Sequence, residues 1–451
     1  MSRNATKDLT TGSPMKLILG FGIPLLFGML FQQFYNMMDT IIVGKFLGVS
    51  ALASVGATGS INFMIIGFCM GVCNGFAIPV AQRFGAKDEH GMRKFVANSV
   101  WLSIIFAVVM AVLVCVFCRQ ILELMNTPED IIDGSYSYIF VIFLGIPATY
   151  MYNLLSGIMR SLGDSKTPLY LLIFSSILNI ILDLLSIIVL KMGVAGAAWA
   201  TVIAQAVSGF CCLGVIWKKF PILHVQREEW HPDKLCILNL CNMGIPMGLQ
   251  YSITAIGGMM VQSSLNILGS YAVAAFTAGS KIDNIFTQAF VAIGTTMSTY
   301  SAQNVGARKL DRVRQGFRCA DVIGCAYAVV VGFVLFFVGK SFSYLFISDN
   351  AEAVIPMVDT YLRCVGMFMI PLYVVNCYRN GFQGMGYGLL PMLSGVAELI
   401  GRGVMAVVAA DARSYTMACM ASPFAWIVAT VLLIVLYFYV MKDMKRKLCL
   451  Q

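Results

Sequence analysis

The chain has 451 residues, of which 59% are hydrophobic and only 12% charged, with a net charge of +9. Soluble domains carry roughly 25% charged residues, and several apolar runs here reach the ~18–20 residues that cross a bilayer. A soluble globular protein is therefore excluded. The positive residues sit in short loops, with no basic stripe interleaved with aromatics, so nucleic acid is not expected as a partner.

The segment from Met1 to Lys16 is polar and includes Asp8, and no cleaved leader is expected ahead of the first apolar run. Spans are expected near 16–43, 54–81, 95–118, 135–157, 168–190 and 194–217. After a connection at 218–238, six more are expected near 239–268, 275–301, 318–339, 356–378, 391–410 and 417–441. The expected class is an all-α integral membrane protein of twelve transmembrane helices. Its lobes would be 1–217 and 239–451, joined by a cytoplasmic linker at 218–238. Of the 31 Lys and Arg residues, Lys45, Arg119, Lys191, Lys340 and Arg413 fall on one side of this topology. Lys281, Arg363 and Arg402 fall within spans. The remaining 23, Arg379 included, fall on the other side. This asymmetry predicts a multi-pass protein of the cell membrane with both termini cytoplasmic.

The halves repeat. Gly22-Ile23-Pro24 recurs as Gly244-Ile245-Pro246, and Ala81-Gln82-x-x-Gly85-Ala86 as Ala302-Gln303-x-x-Gly306-Ala307. Gly163 and Pro168 recur as Gly386 and Pro391. Each half starts on the same side and holds six spans, so the repeats run parallel, about an axis along the membrane normal. Such architectures place substrate in a cavity between lobes that rock to expose it alternately.

Polar residues inside spans are functional candidates, because a charge at the centre costs roughly 2.5–3.5 kcal/mol. In span one, Pro24 stands near the start, either as a hinge or as a static kink. Further along, Tyr35 and Asn36 share a helix face with Asp39. Span two carries Gly67, Gly71 and Gly75, a spacing that lets another helix approach closely. Span four holds Asn153. Span five pairs Asn179 with Asp183, and span six pairs Thr201 with Gln205, each four apart. Two carboxylates with amide and hydroxyl oxygens suit a hard cation such as Na⁺. They equally suit a shared proton, or a structural role as hydrogen-bonded buried acids. In the second half, Lys281 and Asp283 are candidates for a local pair. Glu398 and Arg402, four apart in span eleven, are expected to form a structural ion pair.

Most of the 14 cysteines lie inside apolar runs and read as packing residues, and no Cys/His cluster has zinc spacing. The methionines could line an adaptable cavity, but packing accounts for them. Neither HExxH nor GxSxG occurs, no histidine lies inside a span, and Gly339-Lys340-Ser341 has Val334 where a P-loop needs glycine. An enzyme and an ATP-driven pump are both disfavoured.

The motifs Asn36-Met37-Met38-Asp39-Thr40, Ala81-Gln82-Arg83-Phe84-Gly85-Ala86, Gly157-Ile158-Met159-Arg160-Ser161-Leu162-Gly163-Asp164, Asn179-Ile180-Ile181-Leu182-Asp183 and Glu398-Leu399-Ile400-Gly401-Arg402 resemble those of multidrug and toxic compound extrusion (MATE) transporters. The resemblance covers nearly the whole chain. It implies two six-helix lobes around a central cavity. It also implies export of cationic or amphipathic compounds in exchange for H⁺ or Na⁺, without a cofactor. A monomer surrounded by membrane lipids is expected. In the branch it looks like, Asp39, Asn179, Asp183 and Thr201 match the cation-coupling set, which would include any Na⁺ site. Tyr35 and Asn153 match positions near the cavity, to which Asn36 and Gln205 are added from their helix faces. Another branch uses acids in spans seven and ten. Here Gln250 stands where that branch has a glutamate, and Pro371 to Gln383 contains no acid. A lipid-linked saccharide flippase of the same superfamily is the alternative, and a membrane-embedded enzyme the alternative from another class.

Overall fold

The computed structural model describes residues 6–125, 127–344 and 351–450, and among them there is no β-strand. Eight helices are long and apolar enough to cross a bilayer singly. They are Pro14–Leu47, Gly59–Gly85, Glu89–Val116, Lys166–Val189, Gly193–Lys219, Leu310–Phe337, Leu389–Asp411 and Tyr415–Leu448. Two further spans are broken. Span four is Glu129–Leu144 followed by Ile146–Ser161, bent by 47°, and span ten is bent by 53° between Gly366 and Met369. The first break falls at Gly145 with Pro147 just inside the new helix, and the second precedes Pro371. Proline cannot donate to the preceding turn, so each second segment starts afresh. Spans seven (Lys234–Leu268) and eight (Ser270–Gly306) complete the twelve. At 35 and 37 residues they are ample in length, and they carry polar positions such as Gln250 and Asp283.

The internal repeat extends to the backbone. Gly48, Lys87, Gly163 and Lys191 have positive φ, and so do Gly269, Arg308, Gly386 and Arg413. These are the same four positions, 221 to 223 residues on. Left-handed backbone is uncommon for a residue with a Cβ, so matching Lys87 (φ 58°) with Arg308 (φ 59°) marks the same turn made twice.

Two compact units are present. The first comprises Ile23–Tyr251 with the N-terminal residues up to Leu9, and the second Thr10–Gly22 with Ser252–Gln451. The divisions therefore run through spans one and seven, one of them beside Pro24, and not through the 218–238 connection. That connection belongs to the first unit and docks on span three. Glu229, buried, accepts from Arg93 Nε at 2.9 Å, from His90 Nδ1 at 2.9 Å and from its own Gln226 N–H at 2.8 Å. Asp233 pairs with Lys94 at 3.1 Å, and Trp101 Nε1 donates to the Trp230 carbonyl at 3.1 Å. Burial alone would raise the Glu229 carboxyl, but these hydrogen bonds outweigh it and hold it below the ordinary range.

The glycine ladder of span two does what its spacing predicts. A Cβ on Gly71 would come 2.5 Å from the Met247 carbonyl oxygen, and one on Gly75 2.5 Å from the Gly244 Cα. The first turns of span seven lie directly against these glycines, inside the first unit.

Gly75→Val is expected to destabilise the detergent-solubilised protein by about 1–3 kcal/mol through overpacking. Gly214→Ala, where nothing lies within 4 Å, should leave the thermal midpoint unchanged. Because the folded Glu229 value is depressed, its contribution is full above the ordinary carboxyl pKa and is lost as pH falls through the folded value. Both Glu229→Gln and acidification below about pH 4 should lower the protection of amides across residues 224–233, relative to the intrinsic rate at the same pH. A change of about ten- to a hundredfold matches the loss of charge-assisted hydrogen bonds worth ~1.5–3 kcal/mol.

Candidate functional site

Spans one, two, four, five and six of the first unit enclose a cavity of about 220 Å³. From span one it receives Tyr35, Asn36 and Asp39, together with Gln32 one turn earlier. The 3.6-residue period that groups these positions in sequence aims them into the same space. Asn153 comes from span four, Asn179 from span five, and Thr201 and Gln205 from span six. Asp183 does not line the cavity. It lies behind Asn179 and is fully buried.

The two acids meet. The side chains of Asp39 and Asp183 lie close enough to interact. Two carboxylates are both acceptors, so a hydrogen bond between them needs a proton on one of them. Asn179 bridges the acid to the cavity. With its amide nitrogen toward Asp183 it donates to Oδ2 at 2.8 Å and accepts from the Thr201 hydroxyl at 3.2 Å. Oδ1 of Asp39 and Oδ1 of Asp183 are each buried without a hydrogen-bond partner among the described residues. Asn62 Oδ1, on the cavity wall, is in the same state. Orphaned buried oxygens are uncommon, and here those of Asp39 and Asn62 belong to residues that line one small polar space, with that of Asp183 behind Asn179. Such a donor set fits a hard cation by its chemistry, and two neighbouring carboxyls equally suit a shared proton.

Around this centre, the Thr149 hydroxyl donates to Gln205 Oε1 at 2.6 Å, tying span four to span six. Asn153 folds back on its own helix and donates to the Thr149 carbonyl at 2.8 Å. Sequence reasoning missed Thr149, Asn62 and the buried Tyr138, all of which line the cavity. It also missed the π-helical turn at Leu185–Val189, immediately after Asp183. A π-turn inserts one residue into the helix and rotates the turns beyond it, and such turns cluster at functional positions. Polar residues inside apolar runs were the available signal for Thr149 and Asn62. Nothing in the local pattern marks the π-turn.

The remaining singled-out residues lie elsewhere. Glu398 and Arg402 form the expected pair at 3.3 Å, within the second unit. Arg379, expected in a loop, is instead buried in Met369–Gly384 and is the closer partner of Glu398. The correction comes from the break in span ten, which carries its second helix on to Gly384. Arg379 also donates from Nε to Ser394 Oγ at 2.8 Å. Lys281 and Asp283 make no ion pair among the described residues. Lys281 is exposed, and the buried Asp283 faces the Tyr361 hydroxyl. Asp321 in span nine, overlooked in sequence, accepts from the Tyr373 and Tyr378 hydroxyls, each at 3.0 Å.

Twelve apolar helices in two repeats, with buried acids in a polar cavity, define a multi-pass membrane transporter rather than an enzyme. The family model described as MatE matches twice, over residues 24–185 and 246–408, and the chain belongs to that family. It is 28% identical to "Probable multidrug resistance protein YpnP" of Bacillus subtilis (strain 168), over 86% of each chain. It is 31% identical to "Probable multidrug resistance protein YoeA" of the same organism, over 73% of this chain and 72% of the relative. A solved structure described as the outward-facing conformation of a multidrug resistance MATE family transporter superposes with a TM-score of 0.91. It has 22% identity and covers 99% of both chains.

Removing the one carboxylate between two guanidinium groups leaves buried charge uncompensated. Glu398→Gln is therefore expected to destabilise the protein by about 3–5 kcal/mol, read as a lowered thermal midpoint, with the ion dependence of transport retained in the surviving fraction.

Proposed function

We propose that the protein is a secondary active exporter that moves organic cations out of the cell in exchange for H⁺ or Na⁺, with Asp39 and Asp183 as the coupling acids. The observation that carries this reading is the buried acid pair, Asp39 on the wall and Asp183 behind Asn179, at a polar cavity whose described lining holds no Lys, Arg or His. A cavity with acids and no basic group favours cationic cargo over the phosphates of a lipid-linked saccharide. Its volume is below the ~300–1,000 Å³ of pockets that enclose a drug-sized ligand. It thus suits the coupling ion and the charged end of a cargo. YpnP and YoeA, described as probable multidrug resistance proteins, support the same reading.

In the proposed cycle the shared proton, or a Na⁺ held by Asp39, Asn179, Asp183 and Thr201, competes with a cationic cargo for the same carboxyl oxygens. Tyr35, Asn36, Asn153 and Gln205 shape the cavity around it. Pro24 breaks the hydrogen-bond ladder of span one where that helix passes from one compact unit to the other. It serves as the hinge through which a change at Asp39 bends the helix. Both termini are cytoplasmic, the chain acts as a monomer, and the two halves serve as the alternating lobes.

Uptake of a cationic dye into everted vesicles tests the reading. Asp39→Asn and Asp183→Asn should each reduce coupled transport to background at unchanged membrane expression. Imposing a pH gradient or a Na⁺ gradient separately identifies the ion. Wild-type rates from either variant would remove the acid pair from the mechanism. No dye export by wild type, with binding of a lipid pyrophosphate, would establish the flippase instead.

A further inference from the structure

The repeat places an equivalent hollow beside the turn after span two and beside the turn after span eight, and the two hollows carry opposite charge. In the first unit the hollow holds Asp8, Asp88 and Glu89 against Lys87. In the second unit a hollow of about 670 Å³ is lined by Arg308, Lys309, Arg312, Arg314 and Lys445, with Asp311 as the single carboxylate in its described lining. The turns themselves correspond in register, since Lys87 and Arg308 share the same left-handed backbone. A general excess of positive charge at one end of the spans would make both hollows basic. Only the second is.

The helix ends differ to match. Asp88 caps span three by accepting from the Gly91 N–H at 2.9 Å. The residue one repeat later is Lys309, and span nine starts with no side-chain cap. A carboxylate that would compete for the helix N-terminus is thus replaced by a cation. Arg314 pairs with Asp311 at 3.4 Å, while Lys309 Nζ is held by the neutral Thr10 carbonyl at 3.0 Å. Arg308 and Lys445 are exposed and have no side-chain partner among the described residues. Several cations converging on one hollow repel unless an anion joins them. Leu310 and Leu448 give the same hollow an apolar wall, and it lies at the start of span nine and the end of span twelve.

We propose that this hollow binds the phosphate-bearing head group of an anionic phospholipid, with Arg308 and Lys445 contacting the phosphate and Leu448 the glycerol–acyl junction. Basic pockets at the ends of transmembrane helices recognise such head groups. The site is separate from the acid pair of the first unit and does not depend on the cargo.

The test is native mass spectrometry of the full-length protein in detergent, titrated with short-chain phosphatidylglycerol, short-chain phosphatidylcholine and inorganic phosphate in parallel. The comparison is with Arg308→Asn/Lys445→Gln, asparagine being chosen because it tolerates the left-handed backbone. Phosphatidylglycerol should bind in preference to phosphatidylcholine. The double variant should weaken it about fivefold per basic residue removed, or roughly twenty- to thirtyfold. Lys87→Gln, in the hollow of the first unit, should change nothing. Equal binding of the two lipids, or unchanged binding in the double variant, overturns the proposal. Tight binding of inorganic phosphate without lipid preference overturns the lipid assignment in favour of a free phosphate. Binding is read without transport, so failure here leaves the efflux reading standing.

Discussion

A carboxyl group in a bilayer must be neutralised, solvated by protein or removed, and Asp39 and Asp183 are buried close enough to interact. Two neighbouring carboxyls titrate as a pair, so a proton or a cation bound there changes the charge of the whole cluster. Asn179 and Thr201 lie between Asp183 and the cavity. Their placement depends on the packing of spans five and six, where Ser175 and Ser208 each donate across the interface to a backbone carbonyl. The polar residues that interrupt five otherwise apolar helices thus gather around one cavity beside the acid pair. The pair also explains why the surrounding helices must hold them to within hydrogen-bonding reach.

The two halves share a backbone and differ in chemistry. Four of their left-handed positions coincide pair by pair, yet the first half carries Asp39 on a polar cavity while the second encloses Glu398 between two arginines. Asp321 and Asp283 in the second half are partnered by tyrosines and not by another acid. The same divergence recurs at the helix ends, where Asp88 and Lys309 occupy one position of the repeat. Duplication fixed where chain turns and helix termini fall, and substitution at those places then set the sign of the local charge.

Much of the architecture was legible because bilayer physics is severe. Backbone groups in hydrocarbon must be satisfied within the segment, so apolar runs of sufficient length have to be helices, and the repeated motifs had to mark equivalent turns. The i, i+3 and i+4 spacings placed Tyr35, Asn36 and Asp39 on one face, and Gly71 and Gly75 against a neighbouring helix. Periodicity could not show that Arg379 continues a helix beyond a 53° break and reaches Glu398. That required the position of span eleven.

The amino-acid order by itself determined which residues are too polar for the membrane and which helix face each occupies, because both depend only on local period and transfer cost. Only the tertiary structure decided that Asp39 and Asp183, 144 positions apart in the chain, come within interaction range while Lys281 and Asp283 do not pair. Contact between spans is set by how whole helices pack, and no local pattern encodes the distance between two faces.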